Sequence, residues 1–89
     1  MELRDVAKHV VWYQSPEETL QDKNLFLSHV MTYGTIEDLA TVYQSYTKKD
    51  FINTLENAPP GVFDQRSWAY WHTILLDQED IPPLPKRYI

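Results

Sequence analysis

Apolar positions recur at intervals of three and four residues through most of this chain, the spacing of one face of a helix. Leu3, Val6, Ala7 and Val10 form the first stripe, with Glu2 near its start and Lys8 and His9 near its end, as the helix dipole prefers. Val11, Trp12 and Tyr13 then lead into a corner. Ser15-Pro16-Glu17-Glu18 reads as a helix start, with Ser15 as N-cap, Pro16 at the first helical position and Glu18 completing a capping box. After Leu20 the polar run Gln21-Asp22-Lys23-Asn24 is a point where the helix pauses and restarts, Asp22 serving as a second cap. Phe26, Leu27, Val30, Met31 and Tyr33 follow, and Gly34 takes the usual glycine stop.

Thr35 and Thr47 each stand three residues before an aspartate, Asp38 and Asp50, and each opens a further stripe. The first is Ile36, Leu39, Val42, Tyr43 and Tyr46; the second is Phe51, Ile52, Leu55 and Ala58. The Ala58-Pro59-Pro60-Gly61 corner delivers Asp64 as an N-cap and then the aromatic segment through Trp68, Tyr70, Trp71 and His72. With Ala69, Tyr70, Ile74, Leu75 and Leu76, this segment is apolar almost all round, which predicts a central helix covered on several sides. Ile81-Pro82-Pro83-Leu84-Pro85 cannot continue a helix. The pattern therefore predicts an all-α fold: one compact bundle of about five short helices over residues 1–80, and an extended Pro-rich, basic C-terminal tail over 81–89.

Charge narrows the function classes. Eight Lys and Arg against thirteen Asp and Glu give −5, and residues 36–80 hold three basic and eight acidic side chains. Phosphate contacts supply most nucleic-acid affinity, so this balance opposes DNA or RNA binding. Only the tail is locally basic, through Lys86 and Arg87. The chain has no cysteine, which excludes disulfides and thiolate chemistry and accords with a reducing cytoplasm. Its charged N-terminus is neither a signal peptide nor a membrane span.

No catalytic constellation, cofactor motif or metal-ligand spacing is present in the sequence, and a non-enzymatic protein is expected. His9, His29 and His72 are scattered; His29 reads as a surface or hydrogen-bonded residue and His72 as a satisfied core histidine. Two binding classes remain. A helix-turn-helix around Tyr46-Thr47-Lys48 would present Lys48, Lys49 and Asn53 to a major groove, against Asp50 and Glu56 in the same helix. A protein-binding module would use exposed aromatics and a preordered proline segment. Trp12 and Tyr13 are either a core plug or a contact surface. The tail is either a docking element or intramolecular packing, with Ile81 and Leu84 filling grooves.

Three blocks carry a family resemblance: Val30-Met31-Thr32-Tyr33-Gly34-Thr35-Ile36-Glu37-Asp38-Leu39, then Asn57 to His72, then Ile81-Pro82-Pro83-Leu84-Pro85-Lys86-Arg87. Together with the residues from Val11 to Glu18, they resemble a family of small bacterial proteins typically paired with an AbiEii-type nucleotidyltransferase toxin and taken to be its antitoxin. The resemblance implies a non-catalytic interaction module with the toxin as partner, and implies no catalytic residues. The contact residues expected on this reading are Trp12, Tyr13, Asp77, Glu79, Asp80, Pro82, Pro83, Pro85, Lys86 and Arg87. The acids among them would complement a basic nucleotide-binding cleft. A small helix-turn-helix regulator is the alternative.

Overall fold

A computed structural model describes residues 2–59, 61–77 and 81–84 of the chain. Six helices occupy them: α1 (Leu3–Val10), α2 (Pro16–Gln21), α3 (Lys23–Tyr33), α4 (Ile36–Tyr43), α5 (Lys48–Glu56) and α6 (Gln65–Leu76). The count exceeds five because the polar run after Leu20 does break the chain into α2 and α3. Asp22 lies between them with φ −106 and ψ 89, and its carboxylate accepts from the Leu25 N–H at 3.2 Å.

Each remaining start is local chemistry. Thr35 with Asp38 and Thr47 with Asp50 form complete capping boxes, in which each side chain accepts from the other residue's backbone N–H. Asp64 accepts from the Ser67 N–H at 2.7 Å. At Ser15 the box is only half made: its hydroxyl accepts from Glu18 N–H, while the Glu18 carboxylate turns to the Gln14 amide. Gly61 turns the corner before α6 with φ 82, the left-handed region that glycine tolerates. Gly34 does not use that freedom. Its φ is −70, and glycine is needed there because a Cβ would stand 2.5 Å from the Val30 carbonyl oxygen.

The helix at the centre is α3, not α6. Every other helix packs on α3, and Phe26 through Met31 are six consecutive buried residues, so the helix is covered all round. Ser28 and His29 interrupt that run in the sequence but are satisfied within it: Ser28 Oγ and His29 Nδ1 both donate to the Leu25 carbonyl. By contrast α6 buries one side, Trp68, Trp71 and His72, and leaves Tyr70 and Ile74 half exposed. The Trp71 ring stacks on Phe51 at 5.9 Å and its Nε1–H donates to the Met31 carbonyl at 2.7 Å, tying α6 to both α5 and α3. Extents of 35 × 32 × 18 Å explain why one helix alone is enclosed, since a helix with its side chains is about 10–12 Å across.

Residues 81–84 form no helix or strand and lie against the domain. Ile81 and Leu84 pack on the core, and the Pro82 carbonyl accepts from Trp68 Nε1–H at 2.7 Å. The packing alternative for this part of the tail is what the structure shows. Glu79, Asp80, Pro85, Lys86 and Arg87 lie outside the described residues. Among the described residues, no helix is long and apolar enough to cross a membrane.

Candidate functional site

The corner after α1 divides its three apolar residues sharply. Val11 is fully buried, whereas Trp12 is 82% exposed and Tyr13 59% exposed. Val11 is thus the core plug and the two aromatics are surface, because the chain must turn outward there to start α2 at Ser15. A groove of about 320 Å³ opens between this corner, the end of α1 and the outer edge of α3. Trp12, Tyr13 and Tyr33 form its walls, with His9 and His29 between them.

The aromatic walls are fixed by contacts beneath them. Trp12 meets Tyr13 edge-on at 5.7 Å, Tyr13 lies 6.1 Å from the His29 ring, and His29 lies 5.8 Å from Tyr33 one turn further along α3. A carbonyl can only accept, so the 2.8 Å contact to Leu25 places the proton of His29 on Nδ1. Nε2 is then left to accept from the Tyr13 hydroxyl at 3.1 Å. At the other end His9 Nδ1–H donates to Asp38 at 2.9 Å, the same carboxylate oxygen that accepts from the Thr35 N–H. Asp38 is buried and spoken for on both sides, so α1 is pinned to the start of α4.

The imidazole of His29 is backed by a backbone carbonyl and its second nitrogen accepts from the tyrosine that it positions, whereas His9, in the same groove, is backed by the buried Asp38 carboxylate. Among the described residues, no group of three or more His, Asp or Glu side chains could hold a metal ion. A largely exposed tryptophan, met edge-on by Tyr13, thus stands at the mouth of a groove lined by aromatic rings and two histidines.

Of the contact residues expected from the sequence, only Trp12 and Tyr13 are brought together here. Asp77 is exposed at the end of α6, and Pro82 and Pro83 are exposed on the packed segment 81–84. Tyr33, His9 and His29 were not expected in the groove. The signal for two of them is the four-residue spacing of His29 and Tyr33, which sets both on one face of α3.

The two helices of the expected helix-turn-helix, α4 and α5, pack chiefly on other helices. α4 packs on α1 and α3, and α5 packs on α3 and α6; they meet through the edge of Tyr43 on Phe51 at 5.3 Å. Lys48, Lys49 and Asn53 are exposed. Beside them Asp50 is held below the ordinary carboxylate value of 3.8, first by the Thr47 backbone N–H and then by Lys23, whose ammonium it meets at 3.0 Å. A fixed carboxylate therefore stands in the first turn of the would-be recognition helix. No family model, curated protein or solved structure matches the chain.

Proposed function

We propose that this chain is a non-catalytic protein-interaction module whose docking face is the groove walled by Trp12, Tyr13 and Tyr33. The observation that carries the reading is the 82% exposure of Trp12 at the mouth of that groove. A tryptophan left in water costs the free domain and contributes strongly once covered, which is why such residues dominate binding energy at interfaces. The groove is prepared for a partner, since Tyr13 and Tyr33 are braced through a buried histidine and lose little freedom on docking.

The partner we assign is a nucleotidyltransferase toxin of the AbiEii type, with this chain as its antitoxin; the support is the sequence resemblance. Pro82 and Pro83 face outward while Ile81 and Leu84 face the core, so the segment offers a rigid proline edge as a second contact. We extend the tail reading through Pro85, Lys86 and Arg87, whose cations would meet acidic surface on the partner, while Asp77, Glu79 and Asp80 would meet its basic cleft.

Calorimetric titration of the domain with a purified AbiEii-type nucleotidyltransferase from the same host tests this. Trp12→Ala is expected to weaken binding roughly tenfold or more while leaving the melting temperature in place, because an exposed side chain contributes little to folding. No binding, or binding indifferent to Trp12→Ala and Tyr33→Ala, would sink the proposal.

A further inference from the structure

The groove between α1 and α3 is bounded by an unbroken run of rings. Trp12, Tyr13, His29 and Tyr33 each contact the next, at centroid separations of 5.7, 6.1 and 5.8 Å, and successive planes turn by 89°, 60° and 46°. A run that turns at every step is a curved wall and not a stack, so no ring lies parallel on its neighbour's face. Trp12, Tyr13 and Tyr33 are more than half exposed, and His9 and Val10 complete the lining.

The polar atoms fixed in this wall are acceptors. His29 donates from Nδ1 to the Leu25 carbonyl and accepts at Nε2 from the Tyr13 hydroxyl, a pattern that only the uncharged imidazole makes. With its hydrogen directed at His29, the Tyr13 oxygen has only lone pairs to offer. His9 donates from Nδ1 to Asp38, which leaves the lone pair of Nε2 without a partner among the described residues and sets a buried carboxylate behind the ring. Among the described residues, no Lys, Arg, Asp or Glu lines the groove.

Ring faces and lone pairs attract the same kind of group. A ring face is negative, and a cation held within about 6 Å of its centroid is drawn to it. With neighbouring centroids no more than 6.1 Å apart, one cation in the concavity meets that condition for two or more rings together. The net charge of −5 acts in the same direction at longer range. We infer that this groove is an aromatic cage for an arginine side chain of the protein partner, an inference that rests on the docking face proposed above and names the chemistry it recognises. Arginine suits the cage better than lysine on two grounds. Its planar guanidinium can lie on a ring face while an edge N–H donates to His9 Nε2, and it is more weakly hydrated than an ammonium, so less is lost when it leaves water. An anionic side chain would find no lysine or arginine in the lining to hold it.

Titration of the isotopically labelled full chain with acetyl-arginine amide at fixed ionic strength tests the inference, read by NMR at the Trp12 indole N–H and at the Tyr13 and His29 backbone amides. Saturable shifts are expected, with a dissociation constant of roughly 1–10 mM, as suits a single side chain. Acetyl-citrulline amide, which keeps the shape and loses the charge, should bind roughly fivefold more weakly, and acetyl-lysine amide should also bind more weakly than arginine. Trp12→Leu and Tyr33→Leu keep apolar surface but remove a ring face; each should weaken arginine binding roughly fivefold with helical circular dichroism unchanged. Tyr70→Leu, at an exposed tyrosine on α6 outside the groove, should change nothing. No saturable shift, citrulline or lysine amide binding as tightly as arginine, or binding indifferent to Trp12→Leu and Tyr33→Leu would each overturn the cage. Failure of the docking face itself looks different. A nucleotidyltransferase that binds through Trp12 and is not competed by acetyl-arginine amide keeps the face and removes the cage, whereas arginine binding without toxin binding keeps the cage and removes the toxin as partner.

Discussion

Asp77 ends α6 with φ 52 and ψ 40, the one non-glycine residue with positive φ among those described. Its N–H closes the helix by donating to the His72 and Thr73 carbonyls, so the position is a left-handed cap where glycine is the residue of choice. Aspartate tolerates this region better than most residues but still bears a Cβ, and its carboxylate sits at the negative end of the helix dipole. Asp77→Gly should therefore raise stability by about 1 kcal/mol, a gain of roughly 4–8 °C in melting temperature for a domain of this size. Asp77→Asn should recover only the electrostatic part. A melt showing no gain for either variant would leave the carboxylate without a cost, and a functional reason for its retention would have to be sought at the partner surface. The caps as a class were legible in the sequence because they are contained within four residues: Thr35 with Asp38, Thr47 with Asp50, and Asp64 with Ser67 depend on nothing distant. Asp77 was not, since nothing in its neighbours says that the helix would end on it.

Between elements, legibility falls because the deciding contacts are far apart in sequence. The stripes on α1 and α5 read correctly as one-sided helices, whereas on α4 the buried residues are Asp38 and Val42, and Ile36 and Tyr43 of the expected stripe are exposed. The density of aromatics on α6 suggested a helix covered all round, yet that position belongs to α3, where Ser28 and His29 hide a continuous buried run by satisfying their own polar groups within one turn. The tail shows the same limit. Its prolines exclude a helix, but whether it would pack or project depended on Trp68, fourteen residues earlier, having an indole N–H free for the Pro82 carbonyl. Truncation after Asp80 should consequently lower stability by roughly 2–3 kcal/mol, since it removes the packing of the partly buried Ile81 and Leu84 and uncovers part of Trp68. Thermal melts of the truncated and full chains decide this. An unchanged melting temperature would mean that the segment contributes nothing to the fold and would make it wholly available to a partner. Trp68→Ala should cost more, about 3–5 kcal/mol, because it removes the same anchor from the core side as well.

At the scale of the whole molecule, thinness and charge govern what the domain can bind. A body 18 Å thick has little interior, so its peripheral helices leave grooves between them and its aromatics are shared between core and surface. Composition could not separate these roles: Trp12, Trp68 and Trp71 look alike in sequence, and only the outward turn after Val11 exposes the first. The charge of −5 acts in the other direction, against the largest class of alternative partners. Duplex DNA is bound mainly through phosphate neutralisation, and on this chain Lys23 is already paired with Asp50 while Arg4 is paired with Glu17. What remains near the start of α5 is Lys48 and Lys49 beside that same fixed carboxylate. Two cations release too few counterions to offset the repulsion of the acidic surroundings, so duplex DNA at about 150 mM salt should bind the isolated domain more weakly than about 1 µM. Fluorescence anisotropy with a labelled duplex, repeated across a salt series, measures both the affinity and the number of phosphates engaged. Sub-micromolar binding with a steep salt slope, lost when Lys48→Ala and Lys49→Ala are combined, would reverse the assignment and make α5 a recognition helix despite its packing on α3 and α6. Weak, salt-insensitive binding would leave Lys48 and Lys49 without a phosphate-binding role.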